Sequence, residues 1–149
     1  LMTNAARVTK AFEQKACNAV LIKPNQAGTI TETLAALQAA KACGFSTIVS
    51  ARSGESEDVM ISHLSVGWNA GQLKVGSFAR SERMAKWNEL LRIEEELGAL
   101  EGVQKATVDF DSKKATVVFD KTIQNQDNLT KVVEATGDGK TYKVVLPKS

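Results

Sequence analysis

Asn18-Ala19-Val20-Leu21-Ile22-Lys23 is a short apolar run, and behind it Thr31 to Ala42 carries Leu34, Leu37 and Ala40 at helical spacing until Gly44 stops it. A strand, a loop and a helix in that order, followed by a second strand at Ser46 to Ser50, are the mark of a βα repeat on a parallel sheet. Upstream, a helical stretch through Phe12 feeds the first strand. Downstream, Glu57 to Asn69 sets Val59, Ile61, Leu64 and Trp68 on a mostly apolar helix that turns at Gly71 into a third strand, Gln72 to Val75. Ser81 opens the longest helix, with Met84, Trp87, Leu90, Leu91 and Leu97 on or near one stripe, Glu82 in its first turn and Gly98 as its stop. Right-handed crossovers should link the three strands.

A different regime starts near Gly98 to Gly102. Every arginine, both tryptophans, all three methionines and both cysteines precede it, and the remainder is rich in Val, Thr, Lys and Asp. Val103 to Phe110 and Ala115 to Phe119 alternate around Asp111, Ser112 and Lys113, which reads as a hairpin. A short helix through Leu129, Val132, Val133 and Ala135 and a last strand, Thr141 to Leu146, complete an α+β order.

The bulk composition narrows the class without naming a task. A chain of 149 residues with 43% hydrophobic and 24% charged residues can bury a core and folds as a globular protein. Its net charge of +2 gives no reason to expect a nucleic-acid or membrane-surface partner. Cys17 and Cys43 match no CxxC or zinc spacing, so buried, reduced thiols and a cytoplasmic location are expected. Neither a membrane span nor a leader is read in the sequence.

The loop after the first strand is specific. Leu21-Ile22-Lys23-Pro24-Asn25-Gln26-Ala27-Gly28-Thr29-Ile30-Thr31-Glu32 resembles the signature of the enolase (phosphopyruvate hydratase) family. Ser50 to Asp58, Gly71-Gln72-Leu73-Lys74, Ala79 to Arg83 and Leu91 to Glu95 resemble later motifs of that family, in order and in spacing. The likeness covers residues 1–98 and implies the last three βα units of a TIM-type barrel. It further implies that Lys23 matches the base that removes a proton α to a carboxylate, and that Lys74 matches the lysine that stabilises the carboxylate and the enediolate. Arg52 and Ser53 would match the residues that hold the substrate phosphate. A lysine base requires a lowered pKa, and a guanidinium suits a phosphate bidentately.

Departures from the family pattern carry equal weight. Ala51 stands where a histidine is usual and Ala27 where a β-branched residue is usual, and none of the chain's acids matches the magnesium-binding carboxylates. No metal ligands are therefore assigned, and magnesium enters only if another chain completes the site. From about Ile93 onward, Leu97 to Val103, Ala106 to Phe110, Lys114 to Asp120 and Leu129 to Thr136 resemble a heavy-metal-associated domain of ferredoxin-like fold. Its metal loop falls at Ser77-Phe78-Ala79-Arg80-Ser81, which has no thiolate.

The expected architecture is therefore α/β. Residues 1–98 form a barrel fragment and residues 99–149 a ferredoxin-like ββαβ half, which shares the strand 72–75 and the helix 81–97. One mixed sheet should run through both, with helices packed on it. Such a mosaic suggests a chimeric or engineered chain without catalysis. The alternatives are an enolase-type lyase acting on 2-phosphoglycerate and completed by another chain, and a metal-carrier-like module. Arg52, Ser53 and Gly54, ahead of a helix at Ser56, form an anion loop for phosphate or sulfate. No other partner is evident, although a shared site would need a homo-oligomer. His63, inside a helix without a second ligand at suitable spacing, is read as structural.

Overall fold

The computed structural model describes residues 1–109, 114–125, 127–129 and 131. Helix α1 (Ala5–Glu13) starts where the Asn4 side chain accepts the Arg7 N–H at 3.1 Å, and it buries Val8 and Ala11. Strand β1 (Ala19–Ile22) leads into a single turn, α2 (Pro24–Ala27), which Pro24 starts and Gly28 ends at φ 96°. Only glycine adopts that left-handed conformation without strain. Thr29 then caps α3 (Ile30–Ala42) by accepting the Glu32 N–H at 3.1 Å, and its hydroxyl donates to the Glu32 carboxylate at 2.8 Å. Strand β2 (Ser46–Ser50), helix α4 (Met60–Gly67), strand β3 (Gly71–Lys74) and helix α5 (Ser81–Gly98) complete the βα series.

The strands form a parallel sheet in the order β1-β2-β3, as the βα pattern predicts. Val20, Ile22, Val49 and Leu73 point to one face and meet Val8, Leu37, Leu64, Trp68 and Leu90 in the main core. That burial supplies the stability, at roughly 1.5–3 kcal/mol for each large side chain. Leu21, Ile48 and Gln72 lie opposite one another in a row on the other face, and Leu21 is 40% exposed there. The sheet is packed more fully on one side than on the other, as a piece of a barrel would be.

Strands β4 (Val103–Asp109) and β5 (Lys114–Phe119) pair antiparallel and form the expected hairpin. One continuous mixed sheet is not what the pairing shows. Among the described residues the hairpin is a sheet of its own, and β5 only approaches β3 without a ladder. Packing decides this: Ile93 and Leu97 of α5 form a second core with Ala106 and Val117, so the hairpin is held by a helix rather than by a strand edge. The turn at residues 110–113, most of the helix expected at 129–135 and the strand expected at 141–146 lie outside the described residues.

Three other expectations are corrected. Helix α4 starts at Met60 rather than at Glu57, because Ser56 Oγ accepts the Asp58 N–H and Asp58 Oδ1 accepts the Met60 N–H, and these local bonds compete with the helical ones. The stripe of α5 also differs. Its buried residues are Arg83, Lys86, Glu89, Leu90, Ile93 and Leu97, whereas Leu91 is exposed and Met84 and Trp87 are only half-buried. Cys17 and Cys43 are free thiols, half-buried rather than buried.

Candidate functional site

Parallel pairing places the carboxyl ends of all three strands at one edge, where α/β proteins collect functional loops. Lys23 follows β1, Ala51-Arg52-Ser53 follow β2, and Lys74 closes β3 with Val75-Gly76-Ser77 after it. The Ala51 N–H donates to the Lys74 carbonyl at 2.9 Å and locks the second segment to the third. Together with Arg80 and Arg83 these residues line a groove of about 450 Å³. All four candidate residues, Lys23, Arg52, Ser53 and Lys74, meet in it.

The groove is cationic. Lys23 is half-buried and its Nζ donates to the Ala51 carbonyl at 3.1 Å, while its main-chain N–H donates to Thr3 Oγ1 at 2.9 Å. Burial, then the positive charges of Lys74 and of Arg52, hold the Lys23 ammonium below the usual lysine range, and Glu55 acts weakly in the opposite sense. Arg52, Ser53, Lys74 and Arg80 are exposed and present their polar ends to solvent.

Helix α5 holds this edge together with charges that the sequence reading did not assign. The buried Arg83 guanidinium donates to the Val75 carbonyl and to the Ser53 carbonyl, both at 3.0 Å, so one side chain spans the loops after β3 and β2. Lys86, 1% exposed, donates to the Ser56 carbonyl at 2.8 Å and lies 3.3 Å from Glu55. Glu55 in turn accepts the Arg52 N–H at 2.6 Å. A signal was available in Arg83 and Lys86, which stand three apart and in line with Leu90 and Ile93, but charged residues on an inward stripe are rarely read as buried.

This arrangement alters the expected anion loop. Its N–H groups at Arg52, Asp58 and Met60 already donate to Glu55, Ser56 and Asp58. The cations that face the groove are therefore side chains, and Arg52, Asp58 and Met60 offer no free main-chain N–H to it. Deeper between α4 and α5, His63 Nε2 lies 2.7 Å from Glu89 Oε1, and the Arg92 guanidinium donates to both Glu89 oxygens at 2.7–2.8 Å. His63 thus takes part in helix packing, as a structural histidine should.

A divalent cation does not fit these residues. Among the described residues no three His, Cys, Asp or Glu side chains converge. Those nearest the groove are engaged by cations, Glu55 by Lys86 and Glu82 by Arg80 and Arg83. No helix among the described residues is long and apolar enough to cross a membrane.

Comparison with known proteins agrees with the parallel βα fold. The model of the enolase C-terminal TIM barrel domain matches residues 1–134. The chain is 57% identical over 97 residues to an enolase of Anaplasma marginale (strain St. Maries), a span of 65% of this chain and 22% of that protein. It is 61% identical over 97 residues to enolase 1 of Desulfitobacterium hafniense (strain Y51), with the same shares of 65% and 22%. To enolase 2 of Hevea brasiliensis it is 56% identical over 99 residues, which is 66% of this chain and 22% of that protein. The chain thus spans about a fifth of the length of the curated relatives it matches.

Proposed function

Because the chain belongs to the enolase C-terminal TIM barrel family, we propose that its groove binds a phosphorylated carboxylic acid of the 2-phosphoglycerate class and that these residues alone do not dehydrate it. The observation that carries this reading is the convergence of Lys23, Arg52, Ser53 and Lys74 on one cationic groove. Arg52 and Ser53 hold the phosphate, and Lys74 stabilises the carboxylate and the enediolate that proton removal would form. Lys23 is the base. Its lowered proton affinity suits that task, since a base must be partly deprotonated to act. An enediolate also needs a counter-charge, which in metal-assisted sites a divalent cation supplies, and among the described residues no donor set for one is assembled.

The second reading is an enolase-type lyase completed by carboxylates of another chain, with magnesium bound there; the curated relatives named enolase support an enolase-type fragment and do not set it above the first. It requires association with a chain that carries those carboxylates. A metal-carrier-like module is the least supported reading, because Ser77 to Ser81 offers no thiolate. Residues 99–149 are proposed as a ferredoxin-like half that is joined to the barrel fragment through α5, without a ladder to β3 among the described residues, which makes the chain a chimera. The docking of the hairpin on α5 and the span of 97 residues matched to a curated enolase support this, while the match of the enolase barrel model to residues 1–134 weighs against it. Free Cys17 and Cys43 suit a reducing cytoplasm.

The test is phosphoenolpyruvate formation from 2-phosphoglycerate with magnesium, with Lys23→Ala as control. The expected result is no turnover above the control, with 2-phosphoglycerate still bound. Turnover that Lys23→Ala abolishes would establish the completed site instead.

A further inference from the structure

Lys23 is placed differently from the other cations of the groove. Its Nζ donates to a neutral acceptor, the Ala51 carbonyl, and among the described residues it forms no ion pair with a carboxylate. Lys86 and Arg83, by contrast, are paired with Glu55 and Glu82. Lys74 and Arg52 stay available at the exposed wall for a dianion, whereas Arg80 faces Glu82 at 3.7 Å. Ala51 lines the groove beside Lys23 and supplies the carbonyl that its amine meets. The site thus combines a half-buried amine, neighbouring positive charge and a phosphate handle.

We propose that Lys23 is an imine-forming nucleophile toward phosphorylated aldehydes and ketones held in this groove, an inference that rests on the anion-binding reading above. The neutral amine attacks the carbonyl carbon and forms a C–N bond, while the carbonyl oxygen takes up a proton to give a carbinolamine. Loss of the C–O bond as water and of the remaining nitrogen proton leaves the imine. One amine and one carbonyl give one imine and one water, and nothing is oxidised or reduced. Desolvation and adjacent cations are the conditions under which a lysine becomes nucleophilic near neutral pH. At Lys23 burial, Lys74 and Arg52 act in that direction. The phosphate sets the class of ligand: Arg52 and Lys74 offset its charge by pairing, and a neutral aldehyde gains nothing from them.

The probe is pyridoxal 5′-phosphate, with cyanoborohydride to reduce any imine to a stable amine and peptide mapping to locate it. Pyridoxal without phosphate, Lys23→Arg and competition by inorganic phosphate are the controls. The expected result is one dominant adduct at Lys23, formed about tenfold more efficiently with the phosphorylated aldehyde, a difference worth about 1.4 kcal/mol. It should be displaced by phosphate and be absent in Lys23→Arg. Equal labelling by pyridoxal, or labelling spread over surface lysines, would overturn the proposal. A parallel titration with 2-phosphoglycerate separates the two readings. Arg52-dependent binding without trapping at Lys23 would end the imine proposal and leave the groove reading intact, whereas absence of both would end both.

Discussion

Lys23 Nζ and Ser50 Oγ donate to the same acceptor, the Ala51 carbonyl oxygen, at 3.1 and 3.0 Å. A hydroxyl at the end of β2 and an amine at the end of β1 are therefore coupled through one main-chain atom. Ser50 is 1% exposed, so its hydroxyl has no water to replace this bond. Ser50→Ala should lower stability by about 1 kcal/mol, the net worth of one hydrogen bond. Urea denaturation measures it, and a variant as stable as the parent would show that the shared acceptor does not matter.

Arg83 spans two loops from a single helix. Its replacement by methionine leaves the Ser53 and Val75 carbonyls without their charged donor. The expected cost is about 3 kcal/mol, since hydrogen bonds to charged groups contribute roughly 1.5–3 kcal/mol each. Anion affinity should weaken as well, because Ser53 loses its tether. A cost below about 1 kcal/mol in urea denaturation would contradict the clamp.

The pair His63 and Glu89 tests whether the polar seam between α4 and α5 is structural. Glu89→Leu removes the acceptor that His63 and Arg92 share, and leaving the buried His63 ring nitrogen without its partner should cost about 1–3 kcal/mol. Arg92→Ala should cost about 1 kcal/mol or less, because its guanidinium is half exposed to solvent. Equal costs in the two variants would show that the seam contributes through Arg92 rather than through His63.

The pH dependence has a definite sign. Lys23 has a lowered pKa in the fold, so the unfolded chain binds more protons between the folded value and the ordinary value of 10.5. Its contribution to stability is present above 10.5 and is lost as pH falls through the folded value. Lys23→Met should therefore be more stable than the parent at neutral pH, with the difference shrinking as pH rises toward 10.5. Thermal melts of the two proteins across that range measure it, and a difference that grows with pH would reverse the assignment.

Much of this was legible in the sequence because local patterns and tertiary packing agreed. Ser46–Ser50 and Ser81–Gly98 lie where β-branched run length, Glu82 and Gly98 place them. That Lys23, Arg52, Ser53 and Lys74 meet in one groove was legible through their positions at the ends of parallel strands. Hidden features were those in which side chains bond across the fold. Arg83 and Lys86 bury their charge against carbonyls more than 20 residues away in the chain, and no periodicity encodes such partners. Glu55 closes the Arg52 turn from within, so a loop that reads as open to anions has its N–H already satisfied. The separation of the hairpin from the parallel sheet was hidden for the same reason, because it depends on Ile93 and Leu97 drawing Ala106 and Val117 to them.

The central claim is that Lys23, Arg52, Ser53 and Lys74 together bind a phosphorylated carboxylate. Calorimetric titration of 2-phosphoglycerate into the chain and into Arg52→Ala tests it most directly. The account predicts saturable binding that weakens about tenfold or more in Arg52→Ala and falls with added salt, as a charge-assisted contact should. Undiminished binding in Arg52→Ala, or no saturable binding to either protein, would contradict it.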